Sequence, residues 1–302
     1  MSFNEELNSK VEYVNDVLSR YAILPVEGYQ KTVLDAMNYS IKAGGKRLRP
    51  LIMSETFRLY GKTDLELIEP FMAALEMIHT YSLVHDDLPA MDNDEYRRGM
   101  KTTHIVYGED MAILAGDALL NRAYEVAASA FDSCGSLNDY KLVSRALKVL
   151  TNMAGIYGMV GGQVFDVESE NLEKKNTLEE ILFIHKLKTS ALLKAAFMCG
   201  AILADASDED IEAFERIGED VGIAFQIKDD ILDVTSTTEM LGKPVGSDEK
   251  NGKTTYVNIK GVEESQSDVE MYSNEALELF DNLPYRNYFL RELIESLISR
   301  EK

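Results

Sequence analysis

Almost everywhere this chain is rich in apolar residues, it spaces them for a helix. The run LVSRALKVLTNMAGIYGMV, from Leu142, repeats apolar side chains at intervals of three and four. So do LELIEPFMAALEMIHTYSLVH, MAILAGDALLNRAYEVAASAF, LEEILFIHKLKTSALLKAAFMCGAILA and IEAFERIGEDVGIAFQIKDDILDV. That period is the 3.6-residue turn, not the two-residue alternation of a half-buried strand. It predicts an all-α protein of about ten helices, several longer than the usual three or four turns. Some are apolar around most of their circumference, which calls for central helices sheathed by others. Ser207 and Asp208 supply a cap and an acidic first turn for one of them. Glycine and proline do not gather into a linker, so the 302 residues read as a single domain, 1–302.

Two stretches break the periodicity. GGQVFDVESENLEKKNT (161–177) reads as a loop between long helices, and STTEMLGKPVGSDEKNGKTTYV (236–257) as a longer one. A loop of that length inside a compact domain is usually functional or disordered. The second follows directly on a cluster of aspartates, which favours function over a merely solvated surface.

The acidic residues carry most of the chemistry. A formal net charge of −21 argues against nucleic acid as a partner, because phosphates demand a basic face. Two cysteines, Cys134 and Cys199, do not make a disulfide framework. The start MSFNEELNSK has no basic stretch followed by an apolar one, and ALLKAAFMCGAILA is too short and too interrupted by Lys194 to span a membrane. A cytoplasmic protein without stable membrane insertion is expected.

Within HTYSLVHDDLPAMDNDEYRRG, Asp86, Asp87, Asp92, Asp94 and Glu95 crowd together, and Arg97 and Arg98 follow at once. Two unit charges about 4 Å apart interact by roughly 4 kcal/mol at an effective dielectric near 20, so the crowding requires a cation. Pro89 breaks the helix after Asp86 and Asp87 and lets the chain fold back, so that Asp86 and Asp92 can reach one ion. FQIKDDILDV supplies a second cluster, Asp229, Asp230 and Asp233, at the end of an apolar helix; Asp229 and Asp233 share a face. A solvated helix end would explain either cluster singly. Two on separate apolar helices look instead like a facing pair of metal sites. Oxygen ligands without Cys or His favour Mg²⁺, held by a few carboxylates and by substrate phosphates. Lys46, Arg47 and Arg49 stand at a helix start, where amides and dipole also favour anions; Lys188 with Thr189 lies inside an apolar helix; Lys243 and Lys253 lie in the second loop. Dispersed cations in so acidic a chain suit an anionic substrate.

Together GGKRLRP, HDDLPAMDNDEYRRG, GDALL, GGQVFD, HKLKTSALL, FQIKDDILDV and LGKPVGSDEKNGKTTY resemble the trans-isoprenyl diphosphate synthase family, most closely its bacterial farnesyl diphosphate synthases. The motifs run in family order from residue 44 to 256. The resemblance implies a bundle around a central substrate cavity and a homodimer. It also implies about three Mg²⁺ ions bridging an allylic diphosphate between the aspartate motifs. Asp86, Asp92 and Asp229 are its implied ligands, with Asp87, Asp230 and Asp233 in support. Arg97, Lys188, Thr189, Gln226, Lys243 and Lys253 look like the allylic-diphosphate contacts, and Lys46, Arg49, His79 and Arg98 like the isopentenyl diphosphate site. Lys188, Thr189 and Gln226 also offer dipoles to the carbocation formed when the allylic C–O bond ionises, next to Asp86 and Asp229.

The first motif has four residues between Asp87 and Asp92, the longer form that resembles bacterial farnesyl and plant-type geranylgeranyl enzymes. Tyr81, followed by Ser82, stands five residues before Asp86, about 7.5 Å deeper along the helix. An aromatic there resembles the farnesyl enzymes, in which it floors the chain pocket. The implied activity is synthesis of (2E,6E)-farnesyl diphosphate from isopentenyl and dimethylallyl or geranyl diphosphate. A geranylgeranyl diphosphate synthase is the alternative, and a non-catalytic helical partner subunit the alternative of another class.

Overall fold

The computed structural model describes residues 2–170, 175–235 and 254–298. Their regular structure is helical, apart from one antiparallel hairpin of two-residue strands, β1 (Tyr96–Arg97) and β2 (Met100–Lys101). The expected all-α class is what the chain adopts. Lys243 and Lys253 lie outside the described residues. The chain divides into two compact units, Met1–Leu147 and Lys148–Lys302.

The first unit holds α1 (Phe3–Tyr21), α2 (Lys31–Lys42), α3 (Leu48–Leu59), α4 (Glu69–Asp86), α5 (Thr103–Tyr107) and α6 (Glu109–Ser129). Its axis is α4, where Phe71, Met72, Ala73, Ala74, Leu75, Met77 and Ile78 are all fully buried. The periodic run begins at Leu65, but helical structure begins at Glu69, with Pro70 in the first turn, where its missing N–H has no bond to lose. Helix α6 lies so close that a Cβ on Gly116 would stand 2.1 Å from His85 Nε2, which explains the glycine of GDALL. The start of α3 is fixed by Arg47, whose φ of 51° turns its side chain inward. Its guanidinium donates to Glu76 Oε1 at 2.8 Å and to the Ile41 carbonyl at 2.7 Å.

Helix α7 (Leu137–Ala154) spans the boundary between the units. The second unit continues with α8 (Met159–Glu170), α9 (Leu178–Ile184), a π-turn at His185–Thr189, α10 (Ser190–Leu203), α11 (Asp208–Thr235), α12 (Tyr256–Asp281) and α13 (Tyr288–Ile298). Helix α8 corrects the expected loop at 161–177, most of which is helical. Its glycines hid it from the periodicity, and they serve packing: a Cβ on Gly162 would lie 2.2 Å from the main-chain N of Lys188 in the π-turn. Gly222 of α11 approaches Ser190 as closely. The Ser190 hydroxyl lies 3.0 Å from the His185 carbonyl and 3.2 Å from that of Glu219, so it satisfies acceptors at the widened turn. Helix α11 is capped as expected, the Asp210 amide donating to Ser207 Oγ at 3.1 Å. Among the described residues no helix is long and apolar enough to cross a membrane.

Candidate active site

The end of α4 becomes a tight turn. The Asp92 amide donates to the Asp86 carbonyl at 2.9 Å, and the Met91 and Asn93 amides to Leu88, at 2.9 and 3.1 Å. The fold-back expected at Pro89 is therefore present, and it draws the backbones of Asp86 and Asp92 together. Asp86 is half-buried and Asp92 exposed, whereas Asp87 is buried. Arg97 Nε donates to Asp87 Oδ1 at 2.6 Å and a second guanidinium nitrogen lies 3.3 Å from Asp94. Burial pushes the Asp87 carboxyl above its ordinary range despite this partner. Burial works against the charge of Arg97, but Asp87 holds it above its ordinary value.

Beside this turn is a cationic island. Arg98, with φ 54°, donates to the Gly44 carbonyl, and its guanidinium lies flat against Gly45, where a Cβ would meet it at 2.5 Å. The glycine pair of AGGKRLRP thus makes room for an arginine. Arg49 is half-buried and its Nε is sealed from water with no hydrogen-bond partner. Burial lowers its pKa to about 10, helped by Arg98 and opposed by Glu76. His79 is held well below its ordinary value by burial, then by the charges of Arg49, Arg98, Arg97 and Arg47. Arg49, His79 and Arg98 thus lie in one electrostatic neighbourhood, and Lys46 is exposed on the turn before α3. Arg47 is spent on Glu76 inside the protein, with 4 % and 2 % of the two side chains exposed.

In the second unit the π-turn meets the second aspartate motif. Thr189 Oγ1 donates to Gln226 Oε1 at 3.0 Å, and Gln226 Nε2 lies 3.4 Å from Asp230 Oδ1. Asp230 Oδ2 accepts from the Tyr256 amide at 2.9 Å, with His185 Nε2 at 3.8 Å. The His185 ring packs on that of Tyr256, centroids 6.1 Å apart. Asp229 is half-buried and Asp233 buried, one turn apart on α11. Lys188 Nζ donates to Asp166 Oδ2 of α8 at 2.6 Å. The structure therefore brings together Thr189, Gln226 and Asp230, three of the residues singled out from sequence, and it adds Asp166 and His185. Those two sit inside GGQVFD and HKLKTSALL, but no local spacing marks them. A π-turn inside a helix is itself a frequent sign of a functional position.

The polyprenyl synthetase family model matches residues 30–281. A geranylgeranyl diphosphate synthase of Cyanophora paradoxa is 46% identical over 279 residues, 91% of this chain and 90% of that one. A farnesyl diphosphate synthase of Bacillus subtilis (strain 168) is 45% identical over 267 residues, 88% of each chain. Among solved structures, a geranylgeranyl pyrophosphate synthetase from Pyrococcus horikoshii superposes with a TM-score of 0.87 at 30% identity, covering 99% of this chain and 100% of that one. A geranyltransferase from Helicobacter pylori, complexed with magnesium and isoprenyl diphosphate, gives 0.81 at 29% identity, with 99% and 97% covered. The chain belongs to the polyprenyl synthetase family. It is a prenyltransferase of the trans-isoprenyl diphosphate synthase type.

Proposed function

We propose that this prenyltransferase condenses isopentenyl diphosphate with dimethylallyl or geranyl diphosphate to give (2E,6E)-farnesyl diphosphate and diphosphate. The observation that carries this reading is the cationic island of Arg49, Arg97 and Arg98 around His79, set beside the carboxylate turn of Asp86 and Asp92 in a protein of net charge −21. An anionic substrate needs such a reversal of field.

The donors suit Mg²⁺: they are hard oxygens without sulfur, on a turn that draws Asp86 and Asp92 together. Among the described residues no three acidic, histidine or cysteine side chains form a ready-made metal cage. Mg²⁺ is usually held by one or two carboxylates plus substrate phosphates, so this fits. Asp86, Asp92 and Asp229 are the residues to hold it, with Asp87, Asp230 and Asp233 in supporting roles. When bound it neutralises the charge that gathers on the leaving diphosphate.

The protein's own groups do the rest. Arg49, Arg98, Lys46 and His79 hold isopentenyl diphosphate. Arg97, Lys188, Thr189 and Gln226 serve the allylic substrate, with Lys243 and Lys253 assigned to it by resemblance. The allylic C–O bond breaks with its electron pair leaving on the diphosphate. The isopentenyl double bond then forms the new C–C bond, and the proton is lost to the released diphosphate. Lys188 and Thr189 carbonyls and the Gln226 amide offer dipoles to the cation. The fifteen-carbon product rests on Tyr81, a buried aromatic below Asp86 on α4. A single functional domain and a cytoplasmic location rest on the sequence reading, and the homodimer rests on resemblance.

Purified protein given Mg²⁺ and both five-carbon diphosphates is expected to release diphosphate and a fifteen-carbon prenyl product, read by mass spectrometry, and to stop when EDTA is added. A twenty-carbon product would favour the geranylgeranyl alternative. No prenyl product under any of these conditions would leave the helical partner subunit.

A further inference from the structure

We propose that Asp166 is a positioning residue that fixes the ammonium of Lys188 for the departing diphosphate. The inference rests on the reading of Lys188 as an allylic-diphosphate contact. Lys188 Nζ and Asp166 Oδ2 are 2.6 Å apart, with 27 % and 16 % of the two side chains exposed. A lysine is a point charge on a flexible four-carbon stem, and its charge alone does not say where it will be. Here both ends of the residue are held by the same helix. Gly162 of α8 presses on the main-chain N of Lys188, with room for no Cβ. Asp166, four residues on and so on the same face of α8, takes the ammonium. The π-turn at His185–Thr189 delivers Lys188 into this grip.

An ammonium has three N–H donors. Asp166 uses one, and two remain for phosphate oxygens. The carboxylate therefore need not leave when substrate binds; it sets the direction in which the other two N–H groups point. A group already aimed at the place where charge will develop contributes more in the transition state than in the ground state. A residue that only aims the lysine should act on kcat and leave the isopentenyl site alone. Its effect should vanish when the lysine is gone.

The test is a double-mutant cycle with Asp166→Asn, Lys188→Gln and the double variant, together with Asp166→Glu. Wild type is expected to make prenyl product. Asp166→Asn should lower kcat at least about tenfold, with the isopentenyl KM changed by less than about twofold. Asp166→Glu should recover part of that loss because it restores the charge. In the Lys188→Gln background, Asp166→Asn should add almost nothing, the non-additivity of residues that act as a unit. Multiplying effects, or a kcat for Asp166→Asn within about twofold of wild type, would overturn the inference while leaving the proposed reaction intact. Loss of helical signal in both Asp166 variants would assign the pair to stability and overturn it as well. A wild type that makes no prenyl product would remove the reading beneath it, and the inference with it.

Discussion

The main-chain N–H of Tyr256 donates to Oδ2 of Asp230 at 2.9 Å, joining residues that lie 26 apart in sequence. Tyr256 opens α12, and its N–H is one of the donors a helix start leaves unsatisfied. Asp230 thus caps one helix from near the end of another, with a charge of the sign that helix start prefers. Among the three aspartates of FQIKDDILDV, Asp230 therefore carries a structural duty, the start of α12, besides its place in the motif.

That duty sets the expected phenotypes. Asp230→Ala should cost about 1–3 kcal/mol of stability, because it strands a buried N–H. Asp229→Asn and Asp86→Asn should keep the wild-type helical content and lower turnover at least about a hundredfold, comparable to losing a key electrostatic stabiliser. Denaturant unfolding and steady-state turnover on the same samples decide it. Near-full turnover in either Asn variant would remove the metal assignment.

Arg47 and Arg49 are two residues apart and should behave differently. Arg47→Ala breaks a buried pair and leaves Glu76 uncompensated, so a loss of about 3–5 kcal/mol is expected. Arg49→Ala relieves a desolvated guanidinium that stands against Arg98, and should leave stability nearly unchanged. It should instead raise the KM for isopentenyl diphosphate far more than that for the allylic substrate, as should Lys46→Ala. Equal effects on the two substrates would count against separate sites.

His79 should make the fold acid-sensitive. Burial and four arginines hold its folded pKa well below the 6.5 of the free side chain. Neutral His79 therefore contributes its stability above about pH 6.5, and loses it as the pH falls toward the folded value and the unfolded chain takes up the proton. Between about pH 7.5 and 5, wild type should lose more stability than His79→Gln. Parallel unfolding free energies for the two proteins would contradict this.

The fold class and both aspartate motifs were legible in the sequence because their signals are local. A 3.6-residue period or a proline after paired aspartates is written in neighbouring residues. What was not legible depends on partners far along the chain. Three basic residues of GGKRLRP look alike until Glu76, 29 residues past Arg47, takes one of them inside. Helix α8 looks like a loop in sequence because two glycines and few apolar repeats weaken its period. Its place is set by packing on the π-turn, which no spacing reports. Asp166 lies 22 residues before Lys188, so only the folded chain shows that they pair.

Tyr81 carries the prediction about product length. Its side chain is 6 % exposed, and burial, then Tyr124 and Asp86, push its hydroxyl up to about 12. Its ring meets that of His85 edge to face, centroids 5.8 Å apart at 81°. His85 is held in turn by α6: its Nε2 lies 3.1 Å from the Ile113 carbonyl and its ring fills the space over Gly116. A prenyl tail growing down α4 from a diphosphate at Asp86 would therefore meet a ring backed by a close-packed wall. Ser82 beside it is turned to its own helix, its hydroxyl donating to the His79 carbonyl at 2.9 Å, and offers no second barrier. Tyr81→Ala should lengthen the product by at least one isoprene unit, with the first condensations still fast. It should also cost about 3 kcal/mol of stability, by analogy with Phe→Ala in a core. Mass spectrometry of the dephosphorylated products reads the outcome. A folded Tyr81→Ala enzyme with the wild-type product would remove Tyr81 as the floor of the chain pocket, and a wild-type product of twenty carbons would remove the farnesyl assignment itself.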